Sequence, residues 1–196
     1  IPAGVWVGGA GIAKTRNEDA GTVGTSDATT MMNYVAPVLD TIRVGVIGAG
    51  RRGTTILRLL AGIDGIDVKA IGDSHAPAID RAQGLMTELG VVAPAFYSGS
   101  DYAYRELLER DDIDAVFVLT PWSWHTPMAV EVMQSGKHAF VEVPAALTLD
   151  EGWQLVETSV QTRMNCMMME NVCYGREELM ALNMVRQGAL GELLHG

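Results

Sequence analysis

Three groups of residues have the types and spacing for chemistry. Gly48-Ala49-Gly50-Arg51-Arg52-Gly53 is G-x-G-x-x-G. In that pattern the first glycine makes a tight turn, the second lets the backbone approach a pyrophosphate, and the third lets a helix pack closely on a strand. The N–H groups of the helix that follows would face the anion, and one of Arg51 and Arg52 suffices to touch it. Twenty residues beyond Gly53 comes Asp73, where a carboxylate can accept hydrogen bonds from both ribose hydroxyls of an adenosine. That favours NAD over NADP; the alternative use of Asp73 is as a helix cap before Ser74.

The second group is Thr120-Pro121-Trp122-Ser123-Trp124-His125. Two loop tryptophans wall a cofactor or an interface, or else anchor the loop on a neighbouring helix. His125 is a candidate to approach a substrate, or a helix-start residue with a satisfied imidazole. The third group is Glu142-Val143-Pro144 with Asn171 further on; a carboxylate and an amide make directional hydrogen bonds to a carboxamide or a ribose.

These groups need a scaffold, and the pattern around them supplies one. Ile42–Ile47 is a β-branched run ending in glycine, as a buried parallel strand should be. Helices are expected over Thr54–Ala61, Ala76–Leu89, Asp101–Arg110, Thr126–Ser135, Leu149–Thr162 and Arg176–Arg186. Strands are expected over Ile66–Ile71, Ile113–Leu119, His138–Val141 and Asn165–Met169. Alternation of strand and helix with short links predicts an α/β fold, a Rossmann-type doubly wound parallel sheet. The candidate groups fall after strands, where ligands of open α/β sheets collect.

The ends read differently. Residues 1–40 are rich in Gly, Thr, Ala and Asp without a sustained period and read as a poorly ordered lead-in. Residues 41–175 form the dinucleotide-binding domain. Residues 176–196 read as a linking helix and, from Gly191, the first strand of a second α+β domain, so that the chain is expected to be a piece of a longer protein.

The 196 residues carry 14 Lys+Arg against 24 Asp+Glu, a formal charge of −10. No basic stripe exists to release counterions from nucleic acid, so that partner is excluded. No apolar run reaches the roughly 18–20 residues of a membrane span. The two cysteines, Cys166 and Cys173, lie in a Met-rich apolar stretch and read as buried thiols rather than a bridge. No metal-ligand cluster is seen.

With these residues the chain resembles the Gfo/Idh/MocA oxidoreductase superfamily, whose members join an NAD(P) Rossmann domain to an antiparallel-sheet substrate domain. Thr120-Pro121 and His125 match its strand, Thr-Pro, three residues and His. Its usual Glu-Lys-Pro is departed from: Glu142 and Pro144 are present, but Val143 replaces the lysine. In ordinary dehydrogenases of the superfamily that lysine assists proton removal from the hydroxyl being oxidised. The sequence is instead similar to glycoside hydrolase family 109, the NAD-dependent α-N-acetylgalactosaminidases, in which Glu-Val-Pro is usual. Ala36-Pro37, Leu39–Gly53, Trp122–Met128 and Met168–Arg176 support it, and the resemblance covers about residues 34–196.

The resemblance implies a hydrolase that borrows redox chemistry: oxidation of sugar C3 by bound NAD, elimination of the aglycone, addition of water and re-reduction, without paired carboxylates. It implies cofactor contacts from Gly48, Gly50, Arg51, Arg52, Gly53, Asp73, Trp122, Ser123, Trp124, His125, Glu142, Val143 and Asn171. The family's acid/base residues lie in the second domain, so no catalytic residue is assigned here and the fragment alone is expected to be inactive. His125 is the one candidate to approach the sugar. The partner implied is a small-molecule glycoside, and a homo-oligomer is compatible with it. Family members often carry a twin-arginine export signal, which favours an exported protein over a cytoplasmic one. The competing readings are an NAD-dependent sugar dehydrogenase, should a lysine be recruited from elsewhere, and a non-catalytic dinucleotide-binding module.

Overall fold

A computed structural model describes residues 41–92, 94–170 and 175–194. The lead-in 1–40, Asn171 and Cys173 lie outside the described residues.

The described chain runs β1 (Ile42–Ile47), α1 (Arg51–Ala61), β2 (Ile66–Gly72), α2 (Ala76–Glu88), β3 (Ala95–Tyr97), α3 (Tyr104–Leu108), β4 (Ala115–Val118), a 3₁₀ turn (Trp122–Trp124), α4 (His125–Gln134), β5 (His138–Glu142), α5 (Leu149–Thr162), β6 (Cys166–Met169) and α6 (Arg176–Arg186). The six strands form one parallel sheet in the order β3-β2-β1-β4-β5-β6. The order reverses between β1 and β4, which opens a crevice at their carboxyl ends.

The strands are apolar because both faces are covered. Val44 and Val46 of β1 pack with Leu57 of α1 and Ile79 and Met86 of α2 on one side. Ile47 turns to the other side, among Leu107 of α3 and Met133 of α4. Gly45 also faces that side, where a Cβ would come within 2.8 Å of the Leu107 side chain, so glycine lets α3 lie close. This is the period of two that a strand imposes.

Local signals set most ends. Thr148 and Glu151 form a reciprocal capping box at the start of α5, and Gly136, with φ +77°, follows α4 in a conformation glycine favours.

Three expectations need correction. Helix α1 starts at Arg51 rather than Thr54, because Gly50 serves as the N-cap and the arginines already belong to the first turn. Helix α3 is the short Tyr104–Leu108 rather than Asp101–Arg110. Strand β3 was not expected; its three residues pair with Ala70–Gly72 of β2 and owe their conformation to that neighbour.

Candidate functional site

The glycine turn leaves β1 at the crevice. Gly48 has φ +99°, and a Cβ there would sit 2.5 Å from the carbonyl oxygen of Leu119, at the end of β4. A Cβ on Gly53 would collide with the Gly48 carbonyl, so α1 can approach the turn only as glycine. Gly50 differs: a Cβ there would meet nothing within 4 Å. The protein itself does not need glycine at that point, and the open space above it is where a pyrophosphate would lie. Helix α1 has no side-chain cap and no acidic residue in its first turn, so its amino end keeps its attraction for an anion.

Asp73 follows β2 and reaches back to the turn. Its Oδ2 accepts a hydrogen bond from the N–H of Ala49 at 2.7 Å and its Oδ1 one from the N–H of His75 at 2.8 Å. The N–H of Asp73 donates to the carbonyl of Tyr97 in β3 at 3.1 Å. The cap-like contact of Asp73 with the His75 N–H is thus present, and the residue also lines the cleft.

That cleft has a volume of about 610 Å³. Among the sequence candidates Gly48, Gly50, Asp73 and Trp124 line it. The loop after β4 contributes Thr120 and Pro121, and α4 contributes Met128. Sequence reading missed Ser74, His75 and Arg81 on one wall and Ser100, Asp101 and Tyr104 on the other. Ser100 and Asp101 follow the unexpected strand β3, so without that strand nothing placed them here.

The two tryptophans separate. Trp124 is partly buried against the core and meets Tyr102 edge-on, with ring centroids 5.6 Å apart. Trp122 is 63% exposed and Ser123 is also exposed. Trp124 is therefore the loop anchor, and Trp122 is free to meet another surface.

His125 is a correction. It is 1% exposed, with Nδ1 2.7 Å from the carbonyl oxygen of Pro144 and Nε2 2.7 Å from that of Thr120. Thr126 Oγ1 adds a bond to the carbonyl of Ala145 at 3.0 Å. With both ring nitrogens occupied by backbone, the imidazole pins the β4 and β5 loops together and is not free to approach a sugar.

Glu142 ends β5 and pairs with Arg52 of α1; its Oε2 also accepts from the N–H of Val143 at 3.0 Å. The pair bridges the glycine-turn helix and the β5 loop. Arg51 is exposed.

Tyr104 donates to Glu131 Oε2 at 2.9 Å, and Arg105 grips the same carboxylate with two bonds, at 2.8 and 2.7 Å. Burial, reinforced by Glu131, pushes the Tyr104 phenol up to about 12, so it borders the cleft as a neutral hydroxyl. The described lysines are Lys69 and Lys137. Neither lines the cleft: Lys69 pairs with Asp67, and buried Lys137 donates to the carbonyl of Leu108 at 2.7 Å. Among the described residues no group of three or more His, Cys, Asp or Glu could hold a metal, and no helix is long and apolar enough to cross a membrane.

A parallel sheet of this order, with a glycine turn and an acidic residue after β2, defines a dinucleotide-binding Rossmann domain. The family model for the Gfo/Idh/MocA oxidoreductase family, NAD-binding Rossmann fold, matches residues 42–170. The chain belongs to that family, and its cofactor is NAD.

The chain is 56% identical over 166 residues to a glycosyl hydrolase family 109 protein of Shewanella pealeana, and 55% identical to one of Shewanella baltica. Each match covers 85% of this chain but 36% of the relative's length. Among solved structures, scyllo-inositol dehydrogenase from Lactobacillus casei with bound NAD(H) and scyllo-inositol is similar, at TM-score 0.67 and 25% identity over 78% of this chain and 43% of that one. Myo-inositol 2-dehydrogenase from Lactobacillus plantarum has the same fold, at TM-score 0.68 and 24% identity, with 78% and 43% covered.

Proposed function

We propose that this chain supplies the NAD-binding part of a glycoside hydrolase that removes terminal α-linked N-acetylgalactosamine. One observation carries the reading. Val143 stands where dehydrogenases of the superfamily use a lysine, and no other described lysine reaches the cleft. The similarity to proteins named glycosyl hydrolase family 109 supports the same conclusion.

The residues present fit the dinucleotide. The open side of Gly50 and the amino end of α1 would take the pyrophosphate, with Arg51 or Arg52 beside it, and Asp73 the adenosine ribose. Glu142, fixed by Arg52, would border the nicotinamide end with Val143, Asn171 and the loop from Trp122 to His125. Held there, the dinucleotide would supply reversible hydride transfer at sugar C3, so that the net reaction would be hydrolysis. His125 holds the loop from inside, and Trp122 offers a face to the substrate side. Acid and base residues are assigned to the part of the protein beyond these 196 positions.

The test follows an aryl α-N-acetylgalactosaminide with the full-length protein that contains this chain, monitoring aryl release and NADH absorbance together. Aryl release without NADH accumulation is expected. Stoichiometric NADH from a free sugar, with no aryl release, would move the protein to the sugar dehydrogenases. Turnover by the 196-residue chain alone would show that acid and base residues lie within it.

A further inference from the structure

We propose that Arg81 is a latent cofactor-specificity residue: the adenosine end of the cleft already forms a seat for a 2′-phosphate, and the carboxylate of Asp73 alone closes it. The proposal rests on the preference for NAD over NADP read from Asp73.

The Asp73 carboxylate occupies a position built for an anion. Two backbone N–H groups, of Ala49 and His75, point at its oxygens from 2.7 and 2.8 Å. A ribose bound there hydrogen-bonds to the carboxylate, so a phosphate on its 2′-oxygen would project into the space that the carboxylate fills. Like charge and occupied volume then exclude NADP.

What surrounds the carboxylate is not built for exclusion. His75, Ala78 and Arg81 recur at intervals of three along α2 and its cap, and all three border the cleft. Arg81 is the one arginine or lysine among the described cleft-lining residues. Most arginines in the sheet-and-helix body are committed to carboxylates: Arg43 to Asp114, Arg52 to Glu142, Arg58 to Glu88, Arg105 to Glu131 and Arg110 to Asp112. Arg81 makes no such pair, although Asp73 and Asp101 line the same cleft. An exposed guanidinium, free of partners and bordering the same cleft as the Asp73 carboxylate with its two N–H donors, is a donor that can receive a phosphate in bidentate fashion. Replacing Asp73 with a short neutral side chain would free the N–H groups and leave Ser74, His75 and Arg81 around the vacated space.

The experiment titrates wild type, Asp73→Ser and Asp73→Ser/Arg81→Ala calorimetrically with NAD⁺ and NADP⁺. Asp73→Ser is expected to bind NADP⁺ about tenfold or more tightly than wild type does, and the double variant to lose most of that increase. An Asp73→Ser protein that binds NAD⁺ with no increase for NADP⁺ overturns the proposal, as does an increase that survives removal of Arg81. Should Asp73→Ser fail to fold by circular dichroism, the comparison of Asp73→Ala with Asp73→Ala/Arg81→Glu decides, with adenosine 2′,5′-diphosphate and 5′-AMP as probes. The diphosphate is then expected to lose about tenfold and 5′-AMP clearly less; equal losses overturn the role of Arg81. A wild type that already prefers NADP⁺ would instead overturn the reading of Asp73, and with it the claim that Asp73 closes the seat.

Discussion

His125 Nδ1 lies 2.7 Å from the carbonyl oxygen of Pro144 while Nε2 lies 2.7 Å from that of Thr120, so one buried ring joins the loops that follow β4 and β5. Those loops carry Trp122, Trp124, Glu142 and Val143. The side chain that the sequence offered as the one candidate to approach a sugar thus holds loops together, and its substitution should act on stability first.

His125→Ala is expected to lower unfolding free energy by about 2–4 kcal/mol, from a cavity and the loss of the ring's contacts with the Pro144 and Thr120 carbonyls. Urea unfolding followed by circular dichroism measures it. A variant with unchanged stability and lost substrate binding would restore His125 to the substrate.

The three glycines of the turn should separate experimentally. Gly50→Val places its side chain in open space and is expected to abolish NAD⁺ binding while the domain melts within a few degrees of wild type. Gly53→Ala meets the backbone of Gly48 and is expected to cost about 2 kcal/mol or more before any ligand is added. Retained binding by Gly50→Val would make that glycine purely structural.

Acid should weaken the domain through Glu131. Arg105, and after it Tyr104, holds the Glu131 carboxyl below its ordinary value. A group depressed in the folded state contributes stability that is present above its unfolded pKa and is lost as pH falls through the folded one. The loss therefore begins near the ordinary carboxylate value of 4.5 and continues below it. Glu131→Gln is expected to be less stable at neutral pH by about 1–2 kcal/mol and to show a flatter acid limb. Urea midpoints from pH 7 down to pH 3 check both; parallel acid limbs would exclude Glu131 as the source.

How much was legible follows from where each signal resides. β1, the glycine turn and Asp73 are local: a β-branched run, three glycines with three different steric jobs, and an acid after the next strand. The start of α5 is local because Thr148 and Glu151 cap it from within four residues. β3 could not be read, since three residues become a strand only through β2, and with it went Ser100 and Asp101 on the cleft wall. The burial of His125 was equally hidden, because one of its partners, Pro144, belongs to a loop 19 residues away. Val143 was legible only as a departure from a family pattern; the structure adds that neither Lys69 nor Lys137 compensates for it.

The Arg52–Glu142 pair offers a way to separate binding from stability. It joins α1 to the end of β5, yet the Arg52 side chain is 41% exposed, so solvent screens the pair and its contribution to folding is about 1 kcal/mol or less. On the proposed binding mode its geometric effect is larger, because Arg52 stands in the first turn of the helix assigned to the pyrophosphate while Glu142 ends the strand assigned to the nicotinamide side. Arg52→Leu should remove a cation from the phosphate end and release Glu142 at the other. NAD⁺ affinity is expected to fall about tenfold with little change in melting temperature, and 5′-AMP, which does not span the two ends, to be affected less. Titration of both ligands with wild type and variant measures the difference. Equal loss for NAD⁺ and 5′-AMP would confine Arg52 to the phosphate end, and a large fall in melting temperature would show that the pair carries the fold rather than the site.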